Sequence, residues 1–164
     1  MRRRDSISQL RAFYFFACMV VVLDQISKFL VLLQIPELAS VKIFRFLYLT
    51  HIRNPGICFG FLRNGNHIFF LILVSLTALI GILFFVHRGK ANFYFSRIAL
   101  GLVAGGILGN LFDRIRFRAV IDFIDIGVWP VFNIADSSIV VGVFLILLLQ
   151  TGRRNNVPGV LKDR

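Results

Sequence analysis

Asp122 and Asp136 are the residues best suited, by type and place, to do chemistry. Two carboxylates held close cannot both ionise at neutral pH, so one pKa rises and the pair shares a proton. Such a pair can polarise a water for attack on a peptide carbonyl and then protonate the leaving amine. Around them, inside or beside apolar runs, stand Asp24-Gln-Ile-Ser-Lys28, Gly109-Asn110-Leu-Phe-Asp113-Arg114 and Phe132-Asn133-Ile-Ala-Asp136. Ionisable groups at membrane depth are costly, so they pair, face a protein interior and serve a function. No nucleophilic triad competes: Ser137 and Ser138 have no nearby His, and Cys58 and His51 are close only along the chain.

These groups need elements that hold them in lipid. The chain has 164 residues, 57% hydrophobic and 16% charged, with 19 Phe and a mean hydropathy of +0.80. A soluble domain of this size could not bury so much apolar surface, and the class is integral membrane. The net charge of +11 suits anionic lipid headgroups better than nucleic acid, since the basic residues are scattered over an apolar chain. Two cysteines, Cys18 and Cys58, have neither metal-type spacing nor a disulfide framework. Met1-Arg-Arg-Arg4 before an apolar run resembles a signal peptide. The run continues past Cys18 without a small-x-small site, so it reads as an uncleaved first helix.

Four spans of about 20 residues are predicted, over about 12–33, 68–86, 93–112 and 131–149, in a single domain covering 1–164. Both termini and the link after span two then share one side. That side holds 11 of the 19 Lys and Arg, which puts the termini in the cytoplasm. At 1.5 Å per residue Asp24 lies roughly 18 Å up the core, and Asp136 roughly 8 Å below the outer surface. Asp113 and Arg114 close span three, and Asp122 lies in a polar link before span four. The up-down topology alone thus brings the suspicious groups to one interface.

Residues 34–67 form the long outer connection. Val41–His51 alternates in part like strands with one apolar face, Asn54-Pro55-Gly56 signals a turn, and Phe59, Phe61 and Leu62 add apolar bulk. This reads as a small strand-turn platform on the outer surface. Trp129 and Pro130 read as an interfacial aromatic and a helix-start proline. Gly105 and Gly109 have the spacing of close helix packing.

Plainer roles exist for several groups. Asp24 and Lys28, four apart, can form a structural ion pair. Asp113 and Arg114 suit a helix end, Asn133 suits a cap on span four, and Asp125 suits a solvated loop. His51, His67 and His87 read as interfacial residues rather than metal ligands.

At these residues the chain resembles the lipoprotein signal peptidase (signal peptidase II) family. Five blocks occur in order: Asp24-Gln-x-Ser-Lys28, Arg53-Asn54-x-Gly56-x-x-Phe59, Gly106-x-x-Gly109-Asn110-x-x-Asp113-Arg114, Val120-Ile-Asp122-Phe123 and Phe132-Asn133-x-Ala135-Asp136-x-x-Ile139. The resemblance implies an all-α membrane protein of four transmembrane helices with a small extracytoplasmic β-cradle and a short amphipathic helix. It implies an aspartic endopeptidase of the bacterial inner membrane that cuts a diacylglyceryl-modified prolipoprotein before its lipidated cysteine. Asp122 and Asp136 are then the catalytic pair. Asn54, Asn110, Arg114 and Asn133 hold substrate backbone or order the site, while Asp24, Lys28, Gly56, Asp113 and Ala135 support it. Partners are the prolipoprotein, membrane phospholipid and a globomycin-type inhibitor lodged between the aspartates, with no metal, cofactor or nucleic acid, and a monomeric state. Ile57, Cys58 and Gly60 depart from the small residues and serine common in the family, and Asp125 is an added acid.

Without the resemblance, a proton- or cation-coupled transporter also suits an outer carboxylate site, though the chain has no internal repeat. An oligomeric channel could ring Asp136 around a pore, and a scaffold would use the glycine spacing but leave the acids without a role. Asp122 discriminates: a catalytic pair needs it and a channel does not.

Overall fold

The computed structural model describes residues 2–56, 67–88 and 94–154. In chain order they form α1 (Arg2–Gln34), β1 (Ser40–Phe44), β2 (Leu47–Asn54), α2 (His67–His87), α3 (Tyr94–Phe117), β3 (Val120–Asp125) and α4 (Ile134–Arg154). All four helices contain a stretch long and apolar enough to cross a membrane: Leu10–Gln34, His67–His87, Ser96–Phe117 and Ile134–Thr151. The protein is a four-helix membrane protein with a small sheet at one end of the bundle.

α3 is the central helix and packs on the other three. Its glycines let it do so. A Cβ on Gly101 would meet the Phe13 carbonyl at 2.6 Å, and one on Gly105 would meet the Ala17 carbonyl at 2.6 Å. Gly109 continues the same row against the Asp24 carboxylate. Residues four apart share a helix face, so this row is the α1 contact. α2 buries only Ile68, Ser75, Leu79 and Val86, one narrow stripe. Most of the remainder, including Phe69, Leu73, Ile80 and Phe84, is exposed as a lipid-facing surface requires.

The sheet is antiparallel in the order β1-β2-β3. β3 corrects the expectation of a polar link: Asp122 stands in a strand, not in a loop. β2 has an open edge whose N–H and C=O groups need partners, and Val120-Ile-Asp-Phe-Ile-Asp125 supplies them. Between β3 and α4 the chain bends at 127–129 and returns, so that Phe132 bridges Ile124 in antiparallel fashion. Pro130 therefore lies ahead of the helix rather than opening it, and Trp129 is exposed. α3 continues past Arg114 to Phe117 and ends on Arg118 at φ 56, whose N–H donates to the Arg114 carbonyl at 3.0 Å. That left-handed cap usually belongs to glycine.

The described residues hold no short amphipathic helix. Residues 57–66, which include Cys58, Phe59, Phe61 and Leu62, lie outside them.

Candidate functional site

The first N–H groups of a helix lack partners within it, and the start of α4 shows how that need builds a site. Asn133 caps the helix: its Oδ1 accepts the Asp136 N–H at 2.8 Å. Asp136 reaches back, Oδ2 accepting the Asn133 N–H at 3.3 Å. This is a capping box closed by Asp instead of Glu. The next free donor, the Ala135 N–H, is taken by Asp24 Oδ1 of α1 at 2.9 Å. Ala135 is fully buried and packs beside Gly109, so the carboxylate reaches the helix end without a bulky side chain between them.

Beneath the cap lies a buried ion cluster. Lys28 Nζ sits 2.7 Å from Asp24 Oδ2 and 2.7 Å from Asp113 Oδ2. Its third bond goes to Asn110 Oδ1 at 3.0 Å, so all three ammonium donors are used. Asp113 also accepts the Ile121 N–H of β3 at 3.1 Å. Gln25 Nε2 lies within reach of Asp24, Asp113 and the Gly109 carbonyl. The cluster thus ties α1, α3, β3 and α4 at one point.

Above it stand the two candidate catalytic carboxylates. Asp136 Oδ1 accepts from Asn110 Nδ2 at 2.8 Å. Asp122 Oδ1 accepts from Asn133 Nδ2 at 2.7 Å and Oδ2 from Asn54 Nδ2 at 2.9 Å. Asn133 therefore binds both carboxylates, one through its side chain and one through its backbone. Asn54 is oriented by Gly56, whose N–H donates to Asn54 Oδ1 at 2.8 Å and leaves Nδ2 for Asp122. Gly56 has φ +74, and a Cβ there would strike Leu71 Cδ1. Asp122 is 2% exposed. Burial pushes its carboxyl up, to about 6; the Asn54 hydrogen bond opposes this, and the Asp136 charge adds to it.

Arg114 of α3 is half-buried and feels the charges of Asp136, Asp113 and Asp122. Its Nη1 is 3.5 Å from Ser75 Oγ on α2, and its buried Nε has no partner among the described residues. A guanidinium N–H left open beside two carboxylates is suited to a carbonyl oxygen.

Asn54, Asn110, Arg114, Asp122, Asn133 and Asp136 meet in this site, with Asp24, Lys28, Asp113, Ala135 and Gly56 directly behind them. Asp125 stands apart. It is half-buried at the end of β3, accepting from Thr50 Oγ1 at 3.0 Å and the Gly127 N–H at 2.8 Å, so it is a sheet and turn residue rather than a solvated acid. His51 is buried, with Nδ1 on the Ile35 carbonyl at 2.8 Å, rather than interfacial. His87 is exposed and bonds Tyr14 at the far end of the bundle. Gln25 and Ser75 join the site without having been singled out in the sequence. Gln25 sat in plain view between Asp24 and Lys28, whereas a lone Ser in an apolar span carries no signal. No group of three or more His, Cys, Asp or Glu among the described residues is placed to hold a metal ion.

The sequence model of the signal peptidase (SPase) II family matches residues 16–151. A lipoprotein signal peptidase of Syntrophomonas wolfei is 43% identical over 83% of this chain and 91% of its own length. One from Halothermothrix orenii is 38% identical over 82% of this chain and 92% of its own. A solved bacterial membrane enzyme, determined by the in meso method at 2.3 Å resolution, superposes with a TM-score of 0.80 at 31% identity. The match covers 92% of this chain and 94% of that one. The chain belongs to the signal peptidase II family, a family of lipoprotein signal peptidases.

Proposed function

We propose that the protein is an aspartic endopeptidase that removes the signal peptide from diacylglyceryl-modified prolipoproteins, cutting just before the lipidated cysteine. The observation that carries the reading is Asn133, which donates to Asp122 at 2.7 Å and to Asp136 at 3.3 Å and so holds the two carboxylates on one residue. The enzyme is a monomer of one domain in the bacterial cytoplasmic membrane. Its termini lie in the cytoplasm, where the Lys/Arg excess falls, and its site lies near the outer leaflet.

The substrate enters sideways between spans with its acyl chains still in lipid. Asp122, raised to about 6 by burial, carries the shared proton and donates it toward the scissile carbonyl oxygen. Asp136 takes a proton from the attacking water and delivers it to the amine as the C–N bond breaks, while Asp122 recovers its proton from the gem-diol as the new carbonyl forms. Asn54, Asn110 and Asn133 hold the two carboxylates in place, and Arg114 offers its free N–H to a substrate carbonyl. The free enzyme loses activity as pH rises through about 6, because Asp122 then gives up its proton. A globomycin-type cyclic peptide is expected to occupy the same space between the aspartates.

The test is cleavage of a diacylglyceryl-modified prolipoprotein by purified protein in detergent or lipid, beside Asp122→Asn and Asp136→Asn. Loss of a general acid or base lowers the rate by about 100- to 10,000-fold, and both variants are expected in that range. The unmodified precursor should stay intact, and a chelator should leave the rate unchanged. Cleavage surviving either substitution breaks the pair. Activity lost to the chelator and restored by a metal overturns the aspartic assignment.

A further inference from the structure

β2 and β3 do not pair in one register. Tyr48 faces Asp125 and Leu49 faces Ile124, but beyond them Ile52 faces Asp122, Arg53 faces Ile121 and Asn54 faces Val120. Thr50 and His51 together stand opposite Phe123. This is a β-bulge, one extra residue in β2, and it lies beside the candidate site.

The extra residue changes which side chain meets Asp122. Side chains alternate between faces of a strand, so Val120, Asp122 and Ile124 share one face of β3. With the bulge, Ile52 and Asn54 lie on that face, and Asn54 reaches Asp122 diagonally at 2.9 Å. Continuing the Leu49–Ile124 register without the extra residue would put His51 opposite Asp122 and Arg53 opposite Val120. Arg53 would then take the diagonal place and Asn54 would turn to the other face. At present Arg53 points away, 3.2 Å from Glu37 and 5.9 Å from the Phe117 ring.

The bulge is held in place by several bonds. The His51 N–H donates to the Ala39 carbonyl at 3.0 Å, and its carbonyl accepts from the Leu38 N–H at 2.9 Å. The extra residue thus spends its backbone groups on the α1–β1 connection, and Leu38 adopts φ 67 to meet it. Nδ1, facing the Ile35 carbonyl at 2.8 Å, carries the ring proton. Thr50 Oγ1 donates to Asp125 at 3.0 Å and accepts from Ser40 at 2.8 Å, which fixes the hairpin end of the register across all three strands.

We propose that the Thr50–His51 bulge is a positioning device for peptide cleavage, with His51 and Thr50 as positioning residues that place the neutral Asn54 amide, instead of the Arg53 guanidinium, against Asp122. The proposal rests on the aspartic reading above. The charged groups around Asp122 are otherwise Asp136 of α4, Lys28 of α1 and Arg114 of α3. A third cation, placed on its own sheet, would favour the ionised form and deprive the pair of its proton.

The test is a set of pH profiles of kcat/KM for the full chain, comparing wild type, Asp122→Asn, Asn54→Ala, His51→Leu, Thr50→Val and the double variant H51L/N54A. Asn54→Ala removes a bond that favours the charged carboxylate, so the limb near pH 6 moves upward and the rate falls about tenfold. His51→Leu, which keeps apolar bulk and loses the donor, releases the bulge and brings Arg53 toward Asp122, so it is expected to shift the limb downward, opposite to Asn54→Ala. The double variant should match His51→Leu alone in rate and limb, since without the bulge Asn54 has already left Asp122. If His51→Leu does not fold, Thr50→Val, changing a half-buried side chain, carries the same comparison with a roughly threefold loss. Cleavage that survives Asp122→Asn overturns the aspartic reading and the bulge proposal with it. A dead Asp122→Asn beside His51→Leu and Thr50→Val enzymes of wild-type rate and profile overturns the bulge proposal alone. Losses that multiply in the double variant with no shift of the limb do the same.

Discussion

The two ends of the bundle hold the same helices together by different means. At the end that carries the termini, α1, α3 and α4 meet through small residues: Gly101 against Phe13, Gly105 against Ala17, and Gly142 against the Ala99 carbonyl. Phe13, Leu79, Val86 and Ala104 fill the space around them. At the sheet end the same helices meet through buried Asp24, Lys28, Asn110, Asp113 and Asn133. Lipid is as apolar as Leu, so helices in a membrane gain little from hiding apolar side chains from it. They associate through close packing or through hydrogen bonds. Close packing fixes how near two helices lie. The polar network also fixes which atom faces which, as a catalytic pair needs, because each donor has a specific acceptor in a medium that punishes an unmade bond.

The sharpest way to break this contrast is Lys28→Met. Lys28 is 2% exposed and joins Asp24 and Asp113 at 2.7 Å each. Removing one partner of a buried ion pair costs about 3–5 kcal/mol, because the remaining charge is stranded. Thermal unfolding in detergent should show a large fall in midpoint, with cleavage lost as Asn110 loses the ammonium that orients its amide. A Lys28→Met protein that melts like wild type would mean that the sheet end is held by packing after all.

Parts of this network were legible in the sequence and parts were not. The Asp24–Lys28 pair follows from a four-residue spacing on one helix, and the Asn133 cap follows from its place before an apolar run. The third member, Asp113, pairs with Lys28 only because the Gly101–Gly105–Gly109 row sets the rotation of α3 against α1, which no local pattern specifies. Asn133 was readable as a cap but not as the residue that touches both aspartates, since that depends on where β3 returns. β3 itself went unread because six residues between two helices become a strand only when β2 offers an edge. The bulge was beyond reach for the same reason: register belongs to two segments about 70 residues apart, not to either one.

Asp122 sharpens the contrast from the opposite direction, as a group at the sheet end that costs stability. Its folded value of about 6 stands above the unfolded 3.8, mainly through burial. The native state therefore binds the proton more tightly than the unfolded chain does. The resulting stability is fully present below about pH 4, falls as pH rises toward about 6, and is gone above that. A two-unit shift corresponds to roughly 3 kcal/mol. The difference in unfolding free energy between wild type and Asp122→Asn should follow this course, with the variant gaining on wild type as pH rises. Curves that stay parallel from pH 4 to 7 would mean that the carboxyl is not desolvated.

The smallest expected effect tests the other end. An added Cβ on Gly105 meets the Ala17 carbonyl at 2.6 Å and Val20 Cβ at 2.8 Å, whereas at Gly81 on the lipid side of α2 nothing lies within 4 Å. Gly81→Ala should be neutral or gain up to about 1 kcal/mol from helix propensity. Gly105→Ala gains the same propensity but must push α1 off α3, an overpacking cost of about 1–3 kcal/mol. Because Ala17 contributes backbone there, no side chain can rotate out of the way and the helices themselves have to move. The polar cluster lies further along the same α1–α3 contact, so a small separation at Gly105 should lower the melting midpoint more than the cleavage rate. If both alanine variants are stabilised alike, the helices are not in backbone contact and the terminal end relies on the Phe13 cluster alone.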